Sequence, residues 1–167
     1  MPASSFDAFC RLAFTFLEEQ GVRYLVIDGL AVVVVGEPRM TAHAGFELQL
    51  AVERERLATT GTMRFRRSQF QLDLITASLP FEEAAFRRAS RHKIFGVRLP
   101  FPSPEDLILL KVLAGRDKDM LDAIGIARRH RDHFDTTYLE TTIQPICDLA
   151  EDQSPWLRLQ RVIADGR

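Results

Sequence analysis

Residues 103–123 read SPEDLILLKVLAGRDKDMLDA. The segment opens with a helix-start signal: Ser103 can cap, Pro104 suits the first helical position, and Glu105 and Asp106 favour the positive end of a helix. The apolar block from Leu107 to Leu113 stops at Ala114-Gly115-Arg116, so the pattern predicts two helices, or one kinked helix, around Gly115. Lys111, Arg116, Lys118, Asp119 and Asp122 recur at helical spacing. On spacing alone, Arg116–Asp119 and Lys118–Asp122 are ion pairs on an exposed helix face, each worth only about 0.2–0.5 kcal/mol.

Working outward, residues 4–21 read as an amphipathic helix. Ser4 or Ser5 is its cap, Phe6, Phe9, Ala13, Phe16 and Leu17 form its apolar stripe, and Gly21 is its stop. VRYLVI (22–27) is a short buried strand by composition. Residues 29–35, GLAVVVV, fit either a strand or a short helix capped by Asp28 and ended at Gly36-Glu37-Pro38, and periodicity leaves both open. GFELQLAVE (45–53) alternates as a half-buried strand should. TMRFRR and QFQLDLITA are two further strands, PFEEAAFRRAS is a short helix started by Pro80, and KIFGVRLPF is a strand or hairpin. Two more helices close the chain, the last with Ser154 as cap and Pro155 at its first position. The expected class is α/β in the α+β sense: a small mixed sheet flanked by helices over residues 1–102, with a helical region over 103–167 packed on it.

The 167 residues suffice for one such domain with a real core. A net charge of −1 gives no global field favouring nucleic acid or membranes. Cys10 and Cys147 lie far apart and outside any metal-binding spacing, so free thiols and a cytoplasmic location are expected. Asp7, Arg11, Glu18 and Glu19 interrupt any signal-peptide core, and the uncharged run at 29–36 is too short to span a bilayer. Arg64, Arg66 and Arg67 read as a solvated strand end.

GLAVVVVGEPRMTA, the alternating strand after it, LDLI (72–75) and the Lys111–Asp122 segment together resemble the minimal nucleotidyltransferases of the DNA polymerase β superfamily, in particular the bacterial relatives found in toxin–antitoxin systems. The resemblance rests on Gly-x-Pro-Arg-x-Thr combined with Lys-x-x-Ala-Gly-Arg-x-Lys-Asp-x-x-Asp, and it spans residues 6 to about 140. It implies that a strand runs into the Asp28-Gly29 turn and then a short helix, whose amides cradle a triphosphate. It also implies that the next strand carries Asp-x-Asp, that a neighbouring strand adds a third carboxylate, and that these hold two Mg²⁺ ions that polarise the phosphates.

Laid on that pattern, the Asp-x-Asp positions counted from Thr41 hold His43 and Gly45, and a shifted register offers only Glu47. Asp73 matches the third carboxylate. The resemblance thus implies metal ligands Glu47, Asp73 and His43, of which Glu47 and Asp73 would serve catalysis. It implies nucleotide contacts from Asp28, Gly29, Arg39, Thr41, Lys111, Arg116 and Lys118. Imidazole suits Mn²⁺ better than Mg²⁺, and so few hard oxygens hold two divalent ions poorly. The connector at 54–68 is also short enough that a whole connecting element is expected to be shortened or gone. The expected function is NTP binding with metal-dependent nucleotidyl transfer to a protein or RNA hydroxyl, reduced or lost. The alternative is an inactive homologue serving as an interaction or dimerisation module, as a homodimer or with a cognate partner protein.

Overall fold

The computed structural model describes residues 5–28, 30–32, 55–56, 58–67 and 70–166, and the side chains of residues 5, 65–67, 70 and 71 are left aside. The described chain is mostly helical with two small two-stranded sheets. It divides into two units. One comprises residues 1–24, 40–79 and 92–99, and the other comprises 25–39, 80–91 and 100–167.

In the first unit, helix α1 (Ser5–Glu19) buries Phe9, Cys10, Ala13, Phe14 and Leu17. Phe14 therefore takes the core position expected of Phe16, which is exposed, and its ring stacks on Tyr24 at 5.8 Å. Gly21, at φ +64°, ends α1 with the paired bonds Val22 N–H to Leu17 O and Gly21 N–H to Glu18 O, a Schellman cap. The expected strand at 22–27 does not form. Among the described residues that segment joins no ladder, and its Val26 N–H donates to Pro100 O at 2.9 Å within the other unit. Strands β1 (Thr62–Arg67) and β2 (Phe70–Ile75) pair antiparallel with Arg64 opposite Asp73. Residues 55–56 and 58–60 are helical, with Thr59 and Thr60 hydroxyls bonded back to Glu55 and Arg56 carbonyls. The 54–68 connector thus holds a helical stretch of a few residues and the strand expected at TMRFRR.

β3 (Ser90–Ile94) and β4 (Val97–Phe101) form a hairpin whose turn residues Phe95 and Gly96 have φ of +53° and +81°. Positive φ at both positions is what a type I′ turn requires, and Phe6 packs edge-on against Phe95 at 5.5 Å. The expected single mixed sheet is, among the described residues, these two separate ribbons.

In the second unit, α2 (Pro80–Arg88) starts at Pro80 as expected and buries Phe81 and Ala85. Helices α3 (Pro104–Ala114), α4 (Asp117–His130), α5 (Thr136–Ala150) and α6 (Ser154–Asp165) follow, and α3 packs on the other three. Contact on so many sides explains why α3 is apolar nearly all round. Leu107, Ile108, Leu109 and Val112 are all buried, as are Ile126, Ile143, Leu159 and Val162 on the helices that α3 packs on. The Ser103 hydroxyl accepts from Asp106 N–H, so the expected cap is real. Asp106, fully buried, is also bonded by Ser103, Arg88 and the Tyr138 hydroxyl, which satisfies both its oxygens. Helix α6 begins at Ser154 with Gln153 as its cap residue, so Ser154 is not the cap. Instead the Ser154 N–H donates to the Asp152 carboxylate at 2.8 Å. Among the described residues no helix is long and apolar enough to cross a membrane.

Candidate functional site

The break predicted at Gly115 positions the site. Gly115 has φ +67°, its N–H closes α3 on Lys111 O, and Arg116 caps α4. A Cβ at Gly115 would come within 2.4 Å of the Arg158 guanidinium, which itself donates to Val112 O. The tight turn folds α4 back along α3. Asp119 and Asp122, one turn apart on one face of α4, then confront Lys111 in the last turn of α3. Both placements also suit the helix dipoles, with an acid in a first turn and a cation in a last turn.

The Lys111 ammonium is the centre. It lies 2.9 Å from Asp119, 3.2 Å from Asp122 and 2.5 Å from Asp28. Its side chain is 4% exposed, and those of Asp119 and Asp122 are buried with it. Arg116 grips Asp119 from the solvent side, and Lys118 reaches the second Asp28 oxygen at 3.5 Å. Three carboxylates thus face three cations. The exposed ion-pair face expected from spacing is a largely buried network. Lys118 pairs with Asp28, and Asp122 is turned inward onto Lys111.

Burial by itself would raise the Asp119 carboxyl, but hydrogen bonds from Arg116 and Lys111 outweigh it and hold the group below its ordinary range. Asp28 is lowered in the same way: burial opposes, and Lys111 and Lys118 prevail. Lys111 is raised, since bonds to Asp28 and Asp119 outweigh its desolvation. All three groups are held in their charged forms.

Asp28 sits at φ +64°, a left-handed conformation that Asp tolerates better than most residues. Residues 30–32 are helical, and Val32 N–H bonds to Asp28 O at 3.0 Å, a first helical turn. This decides between the two readings of GLAVVVV at its first turn. The Asp28 carboxylate serves Lys111 and Lys118.

Asp28, Asp119 and Asp122 each offer an oxygen within 4.8 Å of the others, a spacing that could hold a metal ion. The cation they hold here is Lys111. A divalent ion would have to displace the ammonium, so these residues do not fit a metal beside it. Asp73, in the first unit, is on β2, where Arg64 holds it bidentately at 2.7 and 2.9 Å. Of the residues singled out from the sequence, the structure brings together Asp28, Lys111, Arg116 and Lys118. Gly29, Arg39, Thr41, His43 and Glu47 lie outside the described residues. The sequence reading gave Asp119 and Asp122 no place in the site. The available signal was Lys111 itself, a lone charge inside LLKVL that needs buried partners.

No family model matches the chain, and no curated protein is similar to it in sequence. Among solved structures it is similar to the crystal structure of an antigenic nucleotidyltransferase-like protein from Paracoccidioides brasiliensis. The identity is 13%, the match covers 95% of this chain and 93% of that one, and the TM-score is 0.42. A likeness of that strength fixes neither family nor activity.

Proposed function

We propose that this chain is a nucleotidyltransferase-type protein that binds the phosphates of a nucleoside triphosphate through Lys111, Arg116 and Lys118, with nucleotidyl transfer reduced or lost. The observation that carries this reading is the Lys111–Asp28 ion pair. It ties the residue before Gly29, where the resemblance expects a phosphate turn, to the Lys111–Asp122 segment. Arg116 and Lys118 are about half exposed and supply positive charge at the rim.

Transfer itself would rest on Glu47, Asp73 and His43 holding Mg²⁺ or Mn²⁺, with Arg39, Thr41 and Gly29 along the nucleotide and a protein or RNA hydroxyl as acceptor. The bidentate grip of Arg64 on Asp73 argues for loss, because a metal must compete with a guanidinium for the same two oxygens. A second reading, an interaction or dimerisation module, draws on Leu12 and Phe16, exposed one turn apart on α1.

Thermal unfolding with each of the four nucleoside triphosphates, with and without Mg²⁺ and Mn²⁺, tests the binding reading. A native-state ligand stabilises by RT ln(1 + [L]/Kd), so even a millimolar site registers. A rise in Tm that is lost in Lys118→Ala supports it. No rise under any condition overturns it, and sedimentation of the free protein then addresses the module reading. If transfer survives, Asp73→Asn abolishes it and leaves the fold intact.

A further inference from the structure

We propose that the Asp28 carboxylate is an internal competitor for the anion site, occupying the position that a ligand's phosphate takes between Lys111 and Lys118. This rests on the phosphate-binding reading above and adds a regulatory element to it. One Asp28 oxygen lies 2.5 Å from the Lys111 ammonium and the other lies 3.5 Å from that of Lys118. A single oxyanion thus bridges two ammonium groups, as two oxygens of one phosphate would.

The three aspartates are not equivalent. Asp119 and Asp122 are buried, and together they neutralise Lys111 from within the helix pair. The Asp28 side chain is 48% exposed and Lys118 is 45% exposed, so this bridge faces solvent and a dissolved anion can reach it. Removing the charge of Asp28 leaves Lys111 with two carboxylate partners and frees Lys118 for an incoming phosphate. Asp28 therefore holds the phosphate affinity of the native chain down. A ligand must either displace its carboxylate from the lysines or bind beside a like charge.

Asn is the suitable replacement, because it tolerates left-handed φ as Asp does and keeps the shape of the side chain. Asp28→Gly is a second variant that relaxes the backbone entirely. The probe is inorganic tripolyphosphate without metal, titrated calorimetrically at low salt into the full chain, with unfolding curves recorded for every variant. We expect Asp28→Asn and Asp28→Gly to bind it about tenfold more tightly than the native chain, the scale of one like charge removed from a partly exposed site. Asp132→Asn, which removes an exposed acid from the 3₁₀ turn at Arg131–His133, serves as a charge control and should match the native chain. Adding Lys118→Ala to Asp28→Asn should cancel the gain.

Equal, measurable affinity in the native chain and both Asp28 variants overturns the competitor role and leaves the phosphate site standing. Absence of binding in all of them overturns both. A gain that Asp132→Asn shares, or that survives Lys118→Ala, marks a net-charge effect and also overturns the proposal.

Discussion

Lys111 and Asp28 are 83 residues apart in sequence and 2.5 Å apart in space, and the same ammonium is also held by Asp119. A cation buried in this way is stable only while its carboxylates surround it, and each buried carboxylate depends on the cation in turn. That mutual dependence gives the first expectation.

Lys111→Met keeps the length of the side chain and removes its charge. Asp119 and Asp122 are then buried without their central partner. The expected loss is about 3–5 kcal/mol in a denaturant titration, the cost of leaving a buried charge uncompensated. A loss below about 1 kcal/mol would mean that water or Arg116 already solvates these carboxylates.

The acid limb of stability follows from Asp28 and Asp119, both held below their ordinary value of 3.8. A carboxyl lowered on folding binds more protons in the unfolded chain at acidic pH. Its contribution is complete above the unfolded value and disappears as pH falls through the folded one. Stability should therefore hold down to about pH 4 and fall below it, and Asp28→Asn should make that fall shallower. Urea unfolding at a series of pH values measures the slope directly.

Tyr138 provides an alkaline counterpart. Burial, and then the neighbouring Asp106 carboxylate, push its phenol up to about 12. A group raised on folding contributes fully below its unfolded value of 10.0, and the contribution is lost as pH rises through the folded one. Absorbance titration of the native protein should show a tyrosinate phase near 12 that Tyr138→Phe removes. That substitution also takes the hydroxyl from Asp106 and should cost about 1–3 kcal/mol at neutral pH.

Two left-handed helix ends should respond in opposite senses. Gly115→Ala places a Cβ at positive φ and against Arg158, so a loss of about 2 kcal/mol or more is expected. Glu151, at φ +51°, ends α5 in the conformation glycine favours, and Glu151→Gly should stabilise by about 0.5–1 kcal/mol. Thermal unfolding of the two variants side by side reads both signs.

The sequence by itself determined the elements whose signals are local. Ser103, Pro104 and Gly115 bound α3, Pro80 starts α2, and TMRFRR and FQLDLI became β1 and β2, because caps, turns and alternation act over a few residues. The resemblance, rather than any spacing, grouped Asp28 with Lys111, Arg116 and Lys118, and these four side chains do come together. Tertiary structure alone decided the rest. VRYLVI has every propensity of a strand, yet among the described residues it joins no ladder and its Val26 N–H is tied to Pro100 O, because pairing is a tertiary matter that propensity does not supply. Phe14 displaced Phe16 from the core by a small rotation of the helix face, which periodicity resolves poorly. The Lys111–Asp122 segment reads as a solvated ion-pair ladder until the turn at Gly115 folds α4 against α3. Burial then converts weak surface pairs into a closed charge network, because removing water makes each charge depend on its partner.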